Sequence, residues 1–240
     1  MSSVPLMQQI AESHELFRLI NNTHSAAGDT FFGLISGLGD GLIVALICAL
    51  LMLFHLRLGI TAMVAFIVSG LFAQLLKRIF DMPRPPAVLD NVHVLGASLT
   101  SHSFPSGHST SDGVMLLATF LLWSVKDWRR WTTALIFFLA AYGRIYGGVH
   151  FPADVIAGMA IGMATLWLCW KALWSLPVEQ WETSPWAWKI PGLIVVIQAA
   201  ILGLGYRVQP STAQPLSLII PVAALVILAQ LWKTRMAPDS

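Results

Sequence analysis

Charge is scarce in this 240-residue sequence: Asp, Glu, Lys and Arg make up only 11% of it, against about 25% in an ordinary soluble domain. That shortage argues against a soluble globular protein. Disorder is argued against as well, because a chain that is 56% hydrophobic, with a mean hydropathy of +0.71, buries itself in a core or a bilayer. Neither sign of charge prevails. Fourteen Lys and Arg against twelve Asp and Glu give +2, so there is no basic field for nucleic acid. Cysteine is nearly missing: Cys48 and Cys169 each sit inside an apolar run, which favours packing over a disulfide or a metal site. Internal repeats, low-complexity tracts and a second domain are also lacking. The N-terminus has no cationic start followed by an uncharged apolar run, and so does not read as a cleaved signal peptide.

What the sequence has in abundance is apolar runs of membrane length. A hydrocarbon core of about 30 Å takes roughly 20 helical residues. Seven candidate spans follow: Phe31 to Phe54, Leu58 to Phe80, His108 to Val125, Trp131 to Tyr146, Val155 to Leu176, Pro191 to Tyr206 and Leu216 to Trp232. The expected fold is all-α, a polytopic transmembrane helical bundle (residues 30–240). Before it, Leu6, Ile10, Phe17 and Ile20 recur at helical spacing, which predicts an interfacial amphipathic helix within residues 1–29.

Lys and Arg in the connections set the expected orientation. Arg57, Lys126, Arg129, Arg130, Lys171, Lys189, Lys233 and Arg235 all fall on one side, which is expected to be cytoplasmic. All ten tryptophans lie near that side, where an aromatic belt accounts for them but not for their one-sidedness. The N-terminal segment and the long polar connection Asp81 to Gly107 are then expected outside. A connection of that length in a bundle is usually functional.

Charge at membrane depth costs about 2.5 to 3.5 kcal/mol per group, so each intramembrane charge needs a partner or a purpose. Here such groups crowd one side. Lys77 closes the second span and Arg84-Pro85 follows it. Pro105-Ser106-Gly107-His108 opens the third span, where small residues leave backbone N–H groups free at a helix N-terminus. Arg144, His150 and Asp154 lie between spans four and five, with the carboxylate four residues after the imidazole and so able to orient it. Three cations, two histidines, a carboxylate and a helix N-terminus on one face compose a site for phosphoryl transfer. One imidazole can attack phosphorus while the other protonates the leaving oxygen. A divalent metal on His108, His150 and Asp154 is the competing reading, disfavoured because three nearby cations would repel it.

These segments, in this order, resemble the three-part signature of the type 2 phosphatidic acid phosphatase superfamily of membrane lipid phosphatases. Lys77 with Arg84-Pro85 matches its first part, Pro105-Ser106-Gly107-His108 the second, and Arg144, His150 and Asp154 the third. The likeness covers roughly Leu58 to Leu176. It implies His150 as the nucleophile that becomes a phosphohistidine, Asp154 as its orienting carboxylate and His108 as the acid. Lys77, Arg84, Ser106, Gly107 and Arg144 are implied to hold phosphate, with neither metal nor other cofactor. Gly143 departs from the pattern, standing where the family usually has serine.

The resemblance implies a lipid phosphatase of the bacterial inner membrane with its site on the outer face and a membrane lipid as its partner. Undecaprenyl diphosphate and phosphatidic acid or phosphatidylglycerol phosphate rank first as substrates, and lipid A phosphates third. A lipid phosphotransferase acting on lipid A and a non-enzymatic lipid or ion transporter are the alternatives, although a transport path would spread charge through both membrane halves. Asp112 is expected to be a polar first-turn residue. Asp40, within Gly37-Leu38-Gly39-Asp40-Gly41, is expected to pair with a cation or to end a broken turn. His14, His24, His55, His93 and His102 are expected at the surface.

Overall fold

The computed structural model describes residues 4–236, without the side chains of residues 4–12, Glu179, Arg235 and Met236. Every regular element is helical: α1 (Val4–Asn21), α2 (Ala26–Ser36), α3 (Gly41–Phe54), α4 (Leu56–Phe80), α5 (Pro85–Val88), α6 (Gly107–Leu122), α7 (Trp128–Tyr146), α8 (Pro152–Leu173), α9 (Val178–Glu182), α10 (Trp186–Gly203) and α11 (Leu216–Met236).

The expected seven straight spans require correction. Four segments among the described residues are long and apolar enough to cross a membrane: Leu56–Val88, Pro152–Leu173, Trp186–Gly203 and Ser211–Thr234. A fifth is formed only if α2 and α3 count together, and they are bent by 57°. The break falls at the 3-10 turn Gly37–Gly39, after which the Asp40 side chain accepts from Leu42 N and caps α3. Asp40 is thus the residue that ends the glycine-broken turn. Helix α6 is too short, with sixteen residues and a polar first turn, and α7 carries Arg129, Arg130 and Arg144.

Helix α1 exists, but its second half docks on the bundle. Phe17 is buried with Ala141, Ile145 and Val155, and Asn21 Nδ2 donates to the carbonyls of Tyr146 and His93, each at 2.8 Å. The side chains of Leu6 and Ile10 lie outside the described residues.

Two apolar cores meet at α3. On one side Val44 and Cys48 pack with residues of α4, α6, α7 and α8, among them Ala62, Val114, Phe137 and Leu166. On the other, Ile43, Leu46 and Ala49 pack with Val195 and Leu202 of α10 and Ala224 of α11. Both cysteines are free, as their apolar settings predict.

Helices α6 and α8 run parallel and touch backbone to backbone. A Cβ at Gly158 would stand 2.5 Å from Ser106 O, and one at Gly162 would collide with Thr110 O. Small residues permit this approach, the usual device for close helix pairs in membranes. The two N-termini therefore open at the same end of the bundle, where their positive dipole ends favour an anion.

The opposite end holds the cations and tryptophans together. Arg57 donates to the carbonyls of Leu173, Trp174 and Leu176, tying α4 to the end of α8, and its guanidinium lies 5.3 Å from the Trp174 ring. Arg129 faces Trp123, Lys171 faces Trp167 and Lys189 faces Trp186 in the same way. Cation–π contacts thus accompany the tryptophans at this end of the bundle.

Candidate active site

The site is built where α4 and α7 end and α6 and α8 begin. The polar connection folds back over these helix ends: Arg84 N donates to Thr100 O at 3.0 Å, and Ser103 N to Met82 O at 2.9 Å. Ser106 N donates to Asp154 O at 3.0 Å, pinning the start of α6 to the start of α8.

At the centre is His150, 2% exposed. Its Nδ1 stands 3.5 Å from Asp154 Oδ2 and 3.4 Å from Ser103 Oγ. The same carboxylate oxygen accepts from Ser103 Oγ and from Phe151 N, at 2.5 and 2.9 Å. A carboxylate fixed by two donors favours the tautomer with its proton on Nδ1, which leaves the Nε2 lone pair facing outward. Arg84 Nη1 meets that nitrogen at 3.2 Å.

The three cations are held differently. Arg84 donates to Ser101 O at 2.9 Å, Val149 O at 3.1 Å and His102 O at 3.4 Å. Lys77 Nζ donates to His102 O at 2.6 Å and Ser103 O at 3.3 Å. Carbonyls thus fix these two without cancelling their charge. The Arg144 guanidinium makes no hydrogen bond to any described residue, and its Nε is buried and unpaired.

Gly107 faces open space, since a Cβ there would meet nothing within 4 Å. Ser106 caps α6: its Oγ accepts from Ser109 N at 3.3 Å and Ser109 Oγ at 2.9 Å, so its own proton stays free to donate. The Nε2 atom of His108 is buried without a partner. His108 lies within electrostatic reach of Arg144, His150, Arg84 and Lys77. Among the described residues no three His, Cys, Asp or Glu side chains converge as a metal-ligand set.

The eight residues singled out in the sequence all reach this end of the bundle. His150, Asp154 and Arg84 are in direct contact, Lys77 joins through the carbonyls of His102 and Ser103, and His108 and Arg144 lie close without a bond. Ser103 was missed. No spacing rule marks it, because it reaches His150 and Asp154 only through the folding of the connection. His93 is not simply exposed: its Nε2 is 2.9 Å from Asp29 Oδ1 and its ring stacks on His24 at 4.2 Å. Gly143 has a structural reason. A Cβ there would come within 3.0 Å of both Phe32 O and Ser36 Cβ, so a serine would press into α2.

An all-helical membrane bundle with a histidine–carboxylate pair under a cluster of cations defines a class of phosphoryl-transfer enzymes. The PAP2 superfamily model matches residues 58–177, and the chain belongs to that superfamily. An undecaprenyl-diphosphatase of Sulfolobus acidocaldarius is 30% identical over 184 residues, covering 74% of this chain and 82% of its own length. A lipid A 1-phosphatase of Rhizobium johnstonii is 40% identical over 104 residues, which is 39% of each chain. The crystal structure of Aquifex aeolicus LpxE superimposes with a TM-score of 0.60 and 34% identity, covering 65% of this chain and 93% of that one. The chain is therefore a membrane enzyme of the lipid phosphate hydrolase family.

Proposed function

We propose that this enzyme removes a phosphate from a membrane lipid through a phosphohistidine on His150. The observation that carries the reading is the single contact network of Asp154, His150 and Arg84, with Arg144 left unpaired beside it. Arg84 donates to the Nε2 lone pair in the resting site. An incoming phosphate oxygen takes over that hydrogen bond, and Nε2 is freed to attack phosphorus. The P–N bond forms as the P–O bond to the lipid breaks, and His108 gives a proton to the departing oxygen. Asp154 stabilises the charge on His150 while Lys77, Arg84, Arg144 and the Gly107 amide hold the phosphoryl oxygens. Water, deprotonated by His108, then attacks phosphorus and releases inorganic phosphate. A lipid hydroxyl in place of water would make the same site a phosphotransferase.

Among substrates we place a phosphorylated glycolipid of the lipid A kind first, ahead of its third rank from sequence alone. The lipid A 1-phosphatase relative is 40% identical in the region it shares. Undecaprenyl diphosphate stands second, supported by the relative that matches over 82% of its own length. The cation-rich end opposite the site supports a cytoplasmic placement of that end, and hence a site on the outer face of a bacterial inner membrane.

The test is phosphate release by the purified chain from lipid A, undecaprenyl diphosphate, phosphatidic acid and phosphatidylglycerol phosphate, with mass analysis for phosphate moved to a second lipid. Preferential release from lipid A is expected. Preference for undecaprenyl diphosphate would reverse the order, and no release or transfer from any lipid phosphate would overturn the proposal.

A further inference from the structure

We propose that Asp112 is the positioning residue for Arg144: with phosphate in the site its carboxylate takes the Nε–H of that guanidinium, a bond the two groups do not make in this structure, so that the two terminal nitrogens are presented to phosphate. The inference rests on the site being a phosphate site, as proposed above.

Asp112 lies one turn into α6 and is 0% exposed, yet both carboxylate oxygens lack a hydrogen-bond partner. Arg144, from the end of α7, has a buried Nε that also lacks one. One group has only acceptors and the other only donors. The two lie within electrostatic reach of each other. A buried carboxylate and a buried guanidinium nitrogen both left unpaired are costly, and pairing them removes both costs.

The neighbouring chain makes room for this carboxylate. A Cβ at Gly39 would stand 2.7 and 2.8 Å from the two Asp112 oxygens and 3.0 Å from Cγ. The glycine in the break between α2 and α3 therefore leaves the space that the carboxylate fills. Asp40, in the same break, also attracts Arg144. Its oxygens, however, accept from Leu42 N at 3.0 Å and Tyr206 Oη at 3.0 Å. It supplies field, whereas Asp112 retains free lone pairs. A guanidinium held by Nε can turn its two terminal nitrogens to an anion as a fork, the strongest mode of arginine–phosphate recognition.

The experiment uses the purified full chain and two phosphate mimics, orthovanadate as inhibitor and inorganic phosphate as ligand, the second followed by thermal shift so that binding is read without turnover. Asp112→Asn should weaken both about tenfold or more, the loss of one hydrogen bond to a charged group. On an Arg144→Gln background the same substitution should add little, because the residue acts through Arg144. Gly39→Ala crowds the carboxylate while keeping every charge, and should weaken both mimics on its own if Asp112→Asn fails to fold. A full Asp112→Asn effect on the Arg144→Gln background would overturn the proposal. So would lower turnover with unchanged vanadate inhibition, which would route Asp112 through His108, four residues before it. If the wild-type chain bound neither mimic, the phosphate reading of the site would itself fail, a result distinct from bound mimics that ignore Asp112.

Discussion

Ser103 Oγ donates to Asp154 Oδ2 at 2.5 Å and lies 3.4 Å from His150 Nδ1, so one hydroxyl from the polar connection touches both members of the pair at the base of α8. Removing it leaves Phe151 N as the remaining hydrogen-bond donor to that carboxylate oxygen. Ser103→Ala should lower kcat by about tenfold, the worth of one hydrogen bond to a charged group. Steady-state kinetics on a lipid phosphate checks this, and an unchanged kcat would show that the contact is incidental.

His150→Ala should cost several powers of ten in turnover, as loss of a covalent nucleophile does. Asp154→Asn should cost less, since the imidazole remains in place. Acid-labile phosphate trapped on the wild-type chain after a rapid quench, and missing from His150→Ala, would identify the intermediate. Near-normal turnover by a folded His150→Ala protein would sink the assignment.

Activity should survive excess EDTA, because Lys77, Arg84 and Arg144 supply the positive charge that phosphoryl transfer requires. Loss of activity on chelation, restored by one divalent ion, would favour the metal reading of His108, His150 and Asp154.

Sidedness can be read by cysteine labelling after Cys48 and Cys169 are replaced. Ala97 is exposed in the connection over the site and Ser124 is exposed at the opposite end. In intact spheroplasts, a membrane-impermeant thiol reagent should modify Ala97→Cys and spare Ser124→Cys. The reverse pattern would place the chemistry on the inner leaflet.

Gly162→Ala should lower the melting temperature of the detergent-solubilised protein and its activity together, since the added Cβ collides with Thr110 O and parts α6 from α8. Overpacking of this kind costs about 1 to 3 kcal/mol. Gly203→Ala, where a Cβ meets nothing within 4 Å, is the matched control. Equal effects of the two would mean that the α6–α8 contact does not hold the site together.

The sequence by itself determined the solvent and pointed to the candidate chemistry. Few charges among long apolar runs call for a bilayer, and cations, histidines and a carboxylate confined to one side of those runs mark a candidate anion site there. Spacing brought His150 and Asp154 together, but not as a shared helical face: His150 precedes α8, and Asp154 reaches back to the helix start, where its Oδ2 accepts from Phe151 N. Tertiary structure decided what depends on partners distant in sequence. The glycines around Asp40 already suggest a broken turn between Gly37 and Gly41, but only packing shows a bend of 57° with Asp112 seated against Gly39. Polar α6 and arginine-bearing α7 read as spans by apolar content, yet neither is long and apolar enough to cross a membrane on its own. Ser103 belongs to the site only because a 25-residue connection closes over four helix ends (Asp81 to Pro105), and no local pattern encodes where such a loop comes to rest.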